Sequence, residues 1–346
     1  MEQFFTTVLL SIEHFHALGY WVAFWATLLI VLAAWVMLRF VQYYLPRYGN
    51  RLWQVAVSFG HTLRSRLTDN PYVHRWICQY PGSVRFLAER ADYTHFSGLP
   101  LTFLVLAFIV TLVLLAEVAE DVVTADSIVV VDHIAARLVS VFRAPELIPV
   151  AIWITDWCAP LIIGILLVVA CLLLWLVNRK LAAAGLVISL LGASLFSVLN
   201  KLIFQRLRPD GAVLLEPSYS FPSGHATLSV AFYGFLGYLL IRSAKRRDTR
   251  IKLCFATIGF ILLIGLSRIV LGVHYLSDVW AGYLVGLLWL IVGISVNEWL
   301  AASGRIDWNL PLDRHRKIMV FSLMLVTAVS VAGYLFARTL ALRHLQ

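Results

Sequence analysis

Three short stretches of this chain bring cations, histidines and a carboxylate together: Lys201 with Arg208-Pro209; Ser220-Phe221-Pro222-Ser223-Gly224-His225; and Ser267-Arg268 followed by His274 and Asp278. Arginine offers a planar fork that matches two phosphate oxygens, and lysine supplies a compact charge. Pro222-Ser223-Gly224 ahead of an apolar run reads as a helix start with Ser223 as N-cap. The free amides of such a first turn bind anions, and Gly224 lets the backbone come close to a ligand. His274 and Asp278 are four apart, so they share a face if a helix has begun there. A carboxylate holding one imidazole nitrogen fixes the tautomer and leaves the other nitrogen free to attack. His225 is then free to protonate a departing oxygen, while the cations steady charge on the equatorial oxygens. A phosphate group is the species this set is suited to handle.

Each residue also has a plainer reading. Lys201 and Arg208 could snorkel at an interface, Arg268 could pair with Asp278, and His225 could be a satisfied buried histidine. What weighs against these readings is order and convergence, because all the residues fall at helix ends on one face of the topology derived below.

The elements that must position them are membrane helices. The 346-residue chain is 61% hydrophobic and only 14% charged, too little charge to clothe a soluble surface. Its net charge of +9 then reports topology and not nucleic-acid binding. Twelve tryptophans and thirteen tyrosines suit interfacial belts. Cys78, Cys158, Cys171 and Cys254 are scattered, without metal-ligand spacing or a disulfide framework, and read as buried and inert.

Apolar runs long enough to span a bilayer fall at roughly 19–38, 99–117, 152–177, 181–201, 224–241, 253–271, 279–298 and 318–337. The expectation is an all-α polytopic membrane bundle of about eight transmembrane helices. Basic segments at 39–97, 178–180, 242–252 and 305–317 fall on one side, which the positive-inside rule makes cytoplasmic. The opposite loop, 117–150, is acidic. Both termini are then outside, and the first span, lacking a basic start, is retained rather than cleaved. Segment 39–97 alternates arginines with apolar residues and is expected to form amphipathic helices on the cytoplasmic face.

Lys201-x6-Arg208-Pro209, Pro222-Ser223-Gly224-His225 and Ser267-Arg268-x5-His274-x3-Asp278 resemble the three-part signature of the type 2 phosphatidic acid phosphatase family, whose active site is similar to that of vanadium haloperoxidases. The resemblance covers about residues 99–298 as a six-helix phosphatase core. Residues 1–98, a helix plus the basic segment, and 299–346, a loop plus the last helix, lie outside it. It implies a phosphatase without metal or other cofactor, acting on a lipid phosphate or pyrophosphate through a phosphohistidine intermediate. His274 would be the nucleophile, Asp278 its orienter and His225 the acid for the leaving group. Lys201, Arg208, Ser223, Gly224 and Arg268 would hold the phosphate. The partners implied are the lipid substrate and membrane lipids, with no nucleic acid. The location implied is a bacterial inner membrane, the site facing the periplasm. Undecaprenyl pyrophosphate, phosphatidylglycerol phosphate and phosphatidic acid are among the family's substrates. Two other functions compete with this one. In a transporter or proton relay, ionisable residues should lie deep in several spans. A vanadate-dependent peroxidase on the same fold would leave the membrane spans without a purpose.

Overall fold

The computed structural model describes residues 71–343 apart from 93–94, 215 and 309–312, together with positions 36, 39, 41, 43, 54 and 58. The described elements are helices: α1 (Pro71–Gln79), α2 (Pro81–Ala91), α3 (Leu99–Thr124), α4 (Ser127–Phe142), α5 (Leu147–Asp156) and α6 (Pro160–Leu176). They continue as α7 (Ala182–Phe204), α8 (Gly224–Ser243), α9 (Arg247–Val270), α10 (Leu276–Ala302) and α11 (Arg314–Arg343). Six of them are long and apolar enough to cross a membrane, and the α5–α6 pair makes a seventh span if its 42° bend is counted as one broken helix. Pro160 accounts for the break, since a proline lacks the amide that would continue the preceding turn.

The expected span at 19–38 lies outside the described residues, apart from position 36. Of the basic segment 39–97, α1 and α2 are helical as expected, each beginning on a proline. The acidic stretch 117–150 is not the loop it was read as. Helix α3 runs on to Thr124, where Ala125 in the left-handed region ends it, and α4 starts two residues later with the Asp126 carboxylate accepting from the Ser127 amide. The cysteines need a correction too. Cys158 is buried and Cys171 half-buried, whereas Cys78 and Cys254 are exposed, because Cys254 sits on an outward face of α9 and Cys78 on a peripheral helix.

Helix α10 is the axis of the bundle, packed against α7, α3, α8, α4 and α9. Its glycines explain how tightly. A β-carbon on Gly282 would stand 2.6 Å from the Ser223 carbonyl, and one on Gly286 2.6 Å from that of Thr227. This small-xxx-small pair lets α10 lie against the start of α8 at backbone distance, a packing mode suited to a membrane interior. The Ser223 amide also donates to the Asp278 carbonyl at 2.9 Å. The two motif-bearing segments are therefore sewn together before any side chain is considered. Phe232 and Phe235, from and after one π-helical turn in α8, fill the core beneath.

The connecting segments sort to two ends. At one end, 205–223, 271–275 and the α3–α5 region meet: the Val213 amide donates to the Leu271 carbonyl at 3.0 Å, and Arg143 Nη1 to the Gly211 carbonyl at 3.0 Å. At the other end, Arg179 donates to Ser243 Oγ at 3.2 Å and to the Trp308 carbonyl at 2.7 Å.

Candidate active site

His274 does not ride on a helix. Helix α10 begins at Leu276, and His274 sits in the turn before it, 3% exposed. The chain reaches it through Gly272, whose φ of +68° a residue with a side chain rarely adopts. Asp278, at the third helical position and fully buried, uses Oδ2 to accept from the Tyr275 amide at 2.8 Å. That bond is the reciprocal half of a capping box. It also turns the carboxylate back toward the imidazole, leaving His274 Nδ1 3.5 Å from Oδ2, long for a full hydrogen bond.

On the other edge of the ring, Arg208 Nη1 lies 3.2 Å from Nε2. A guanidinium only donates, so Nε2 must carry the lone pair and Nδ1 the proton. This is the tautomer in which Nε2 can attack while Nδ1–H faces Asp278. Burial away from water pushes the His274 pKa down to about 4, against the upward pull of Asp278. The ring is thus neutral at ordinary pH.

The cations converge as expected. Arg208, where the chain leaves α7, donates from Nε to the Ser218 carbonyl at 2.8 Å and from Nη1 to the Val273 carbonyl at 2.7 Å. Arg268, in the last turn of α9 and 1% exposed, donates from Nη1 to Thr155 Oγ1 at 2.9 Å. Lys201, in the last turn of α7, donates to the Tyr219 carbonyl. His225 lies in the first turn of α8, within electrostatic reach of Arg268, His274, Arg208 and Lys201.

Ser223 stands at the N-cap position of α8, but its hydroxyl makes no capping bond. That oxygen is buried and unpartnered, as is Arg268 Nε. Buried polar atoms without partners cost about 1–3 kcal/mol each. These two atoms, the hydroxyl next to Gly224 and the Arg268 Nε, keep hydrogen-bonding capacity that an external anion could satisfy. The structure thus brings Lys201, Arg208, Ser223, Gly224, His225, Arg268, His274 and Asp278 to one end of the bundle.

Several neighbours had no part in the expectation. Glu216 bridges the two arginines: Oε2 stands 2.8 Å from Arg208 Nη2, and Oε1 accepts from Arg268 Nη2. Burial alone would push this carboxyl up, but Arg268 and Arg208 hold it below the usual carboxylate range. Arg268 accordingly pairs with Glu216, not with Asp278. Asp278 answers instead to Arg206, whose Nη1 reaches Oδ1 at 2.7 Å while Nη2 reaches Asp132 Oδ2 at 2.8 Å. Asp132, from α4, accepts in turn from the Ser277 amide at 2.9 Å and from its hydroxyl. Ser220 donates to Asp278 Oδ2. Arg206 also stacks over the Tyr275 ring, 4.4 Å from its centroid. Sequence signals for these existed but were faint. Arg206 is two residues from Arg208, and Asp132 was one acid among several in the stretch read as a loop.

The class defined so far is a multi-span helical membrane protein with a buried histidine–carboxylate pair beside clustered arginines. Comparison adds a likeness to a family. Residues 182–301 match the model of the PAP2 superfamily, and the resemblance carried by the three motifs stands. Among curated proteins the chain is similar to phosphatidylglycerophosphatase B of Bacillus subtilis (strain 168), 38% identical over 96 residues, which are 26% of this chain and 47% of that one. The chain thus spans about half the length of this curated relative. Among solved structures it is similar to a transmembrane PAP2 type phosphatidylglycerolphosphate phosphatase from Bacillus subtilis, with 25% identity, 57% of this chain and 96% of that one covered, and a TM-score of 0.49. Another similar structure is Aquifex aeolicus LpxE, with 22% identity, coverages of 47% and 94%, and a TM-score of 0.39.

Proposed function

We propose that this protein is a membrane phosphatase that releases phosphate from a lipid phosphate or pyrophosphate through a phosphohistidine intermediate. The observation that carries the reading is the His274 ring, with Nε2 3.2 Å from an Arg208 donor and Nδ1 3.5 Å from the Asp278 carboxylate. Phosphoryl transfer needs little from a protein beyond positioning and charge stabilisation, and this end of the bundle supplies both.

In the proposed reaction, His274 Nε2 forms a bond to phosphorus as the bond to the lipid oxygen breaks. His225 gives that oxygen its proton. Water then attacks the phosphohistidine, with His225 taking the proton back, and inorganic phosphate leaves. Arg208, Arg268, Lys201, the Ser223 hydroxyl and the first-turn amides at Gly224 hold the three equatorial oxygens. The cations do the charge neutralisation that a divalent ion does elsewhere, so turnover is expected to survive a chelator. The positive-inside rule, which reads the basic segments as cytoplasmic, supports a site on the periplasmic face of a bacterial inner membrane. Candidate substrates are phosphatidylglycerol phosphate, phosphatidic acid and undecaprenyl pyrophosphate; the first is the substrate named for the Bacillus subtilis relatives.

The test is phosphate release from these lipids by protein purified in detergent with EDTA. Turnover that His274→Ala abolishes supports the reading. No release from any lipid phosphate, or release restored only by a divalent ion, contradicts it.

A further inference from the structure

The end of the bundle opens into a cleft of about 280 Å³ that His274 lines on one side and whose other walls, Arg137 and Arg143 among them, the proposed chemistry does not use. One wall is α4, through Asp132, His133, Arg137 and Ser140. The other walls are Arg143, Asp210 and the turn from Gly272 to Leu276.

Helix α4 has two faces. Val130, Val131, Ile134, Leu138 and Val141 are exposed and recur at the spacing of a single helical stripe. Most of the cleft-lining residues lie on the other side of the helix, with Arg137 at the border of the stripe. A helix with an apolar outer stripe and a polar face carrying Asp132, His133 and Arg137 is suited to lie along the membrane interface. The cleft therefore opens where lipid headgroups sit, next to the imidazole.

Its charge is built for an anion. Of the two lining carboxylates, Asp132 is consumed by Arg206 and Ser277. Asp210 remains, against Arg137 and Arg143. Arg143 is held in place: Nη1 donates to the Gly211 carbonyl at 3.0 Å, and a β-carbon on Gly272 would stand 2.4 Å from Nη2. The guanidinium comes this close to the turn that delivers His274, Nη2 foremost, because Gly272 has no side chain. Gly272 is two residues from His274, within about 7 Å along the chain. Arg143 Nε is buried and has no acceptor. A fixed cation with an unused donor, this close to the attacking histidine, calls for a second anionic group on the same ligand.

We propose that this cleft is a subsite for a second phosphoryl group of the lipid substrate, held by Arg143 and Arg137. The inference rests on the phosphatase reading above. It singles out lipids with two phosphoryl groups, joined by a diester as in phosphatidylglycerol phosphate or by an anhydride as in an isoprenyl pyrophosphate, over phosphatidic acid with one.

The experiment measures kcat/KM of the wild type, Arg143→Gln and Arg137→Gln on all three lipids in mixed micelles. Charge-assisted hydrogen bonds of this kind are worth a factor of about ten or more. Arg143→Gln should cost about that factor, mainly in KM, on one or both lipids with two phosphoryl groups, and stay within about twofold on phosphatidic acid. Which of the two falls identifies the linkage. Arg137→Gln, on an exposed side chain, should shift the same ratio in the same direction with its melting temperature unchanged. Equal losses on all three lipids would mean that Arg143 acts only through the Gly272 turn and would overturn the subsite, as would no loss on any. A wild type that cleaves none of them refutes the phosphatase reading separately. Binding of the same lipids to His274→Ala protein, with and without Arg143→Gln, then still decides the subsite by whether affinity discriminates between one phosphoryl group and two.

Discussion

Arg206 offers the sharpest perturbation. It is the bridge between two buried carboxylates, Asp132 at 1% exposure and Asp278 at 0%. Burial alone would lower its pKa, but Asp278 and Asp132 together raise it. Arg206→Met keeps the bulk and removes the charge. Breaking a buried pair by deleting one partner costs about 3–5 kcal/mol, because the other charge is left uncompensated. Here the lower figure applies. Asp132 keeps the Ser277 amide and hydroxyl, and Asp278 keeps Ser220 and the Tyr275 amide. At roughly 2–4 °C per kcal/mol for a chain approaching this size, the melting temperature should fall by roughly 6–12 °C in detergent. Adding Asp132→Asn should recover part of that loss, since it removes one of the two orphaned charges, with a coupling of about 1 kcal/mol or more. Phosphate release should fall through kcat, because the Asp278 proposed to orient His274 has lost its counterion. If Arg206→Met melts within about 2 °C of the wild type, or if Asp132→Asn adds its full cost on top, the buried network does not hold this end together as described.

The remaining expectations address the reacting groups. With the His274 pKa lowered to about 4, the proposed nucleophile stays unprotonated down to that range. The acid limb of kcat/KM, fitted apart from the substrate's own ionisation, should therefore titrate near 4; a limb at the ordinary value of about 6.5 would refute the buried neutral ring. Glu216 pairs with both arginines that are proposed to hold the phosphate. Glu216→Gln should therefore tighten inhibition by vanadate, roughly tenfold or more, and unchanged or weaker inhibition would show that the carboxylate does not compete. Sidedness can be read by thiol labelling in spheroplasts. A cysteine at exposed Ser127, at the site end, should react with an impermeant reagent, whereas one at exposed Thr249, at the basic end, should not; the reverse pattern would turn the site to the cytoplasm.

How much of this was legible in the sequence varied with the kind of signal. Helices α3 and α7 to α11 announce themselves as apolar runs of spanning length, and the motif residues stand out against them because charge is rare there. Helix α4 was missed because its exposed valines and its acids mix in one stretch. Composition reads that stretch as an acidic loop, while the arrangement around 3.6 residues per turn is what sorts it into faces. The place of His274 before α10 was also hidden. Four-residue spacing is consistent with a shared helical face, whereas the contact with Asp278 comes from a capping geometry. Glu216 lies in an irregular segment, and its pairing with Arg208 and Arg268 depends on how that segment folds back across α9. No local pattern encodes such a closure.

The most direct measurement is to trap the covalent intermediate. Protein quenched during turnover of a lipid carrying labelled phosphate should retain alkali-stable, acid-labile label in the peptide containing His274. His274→Ala protein should retain none and release no phosphate, and Asp278→Asn should slow the labelling without moving it. Label on His225 or on any other residue, or steady turnover by His274→Ala, would contradict the assignment of His274 as the nucleophile.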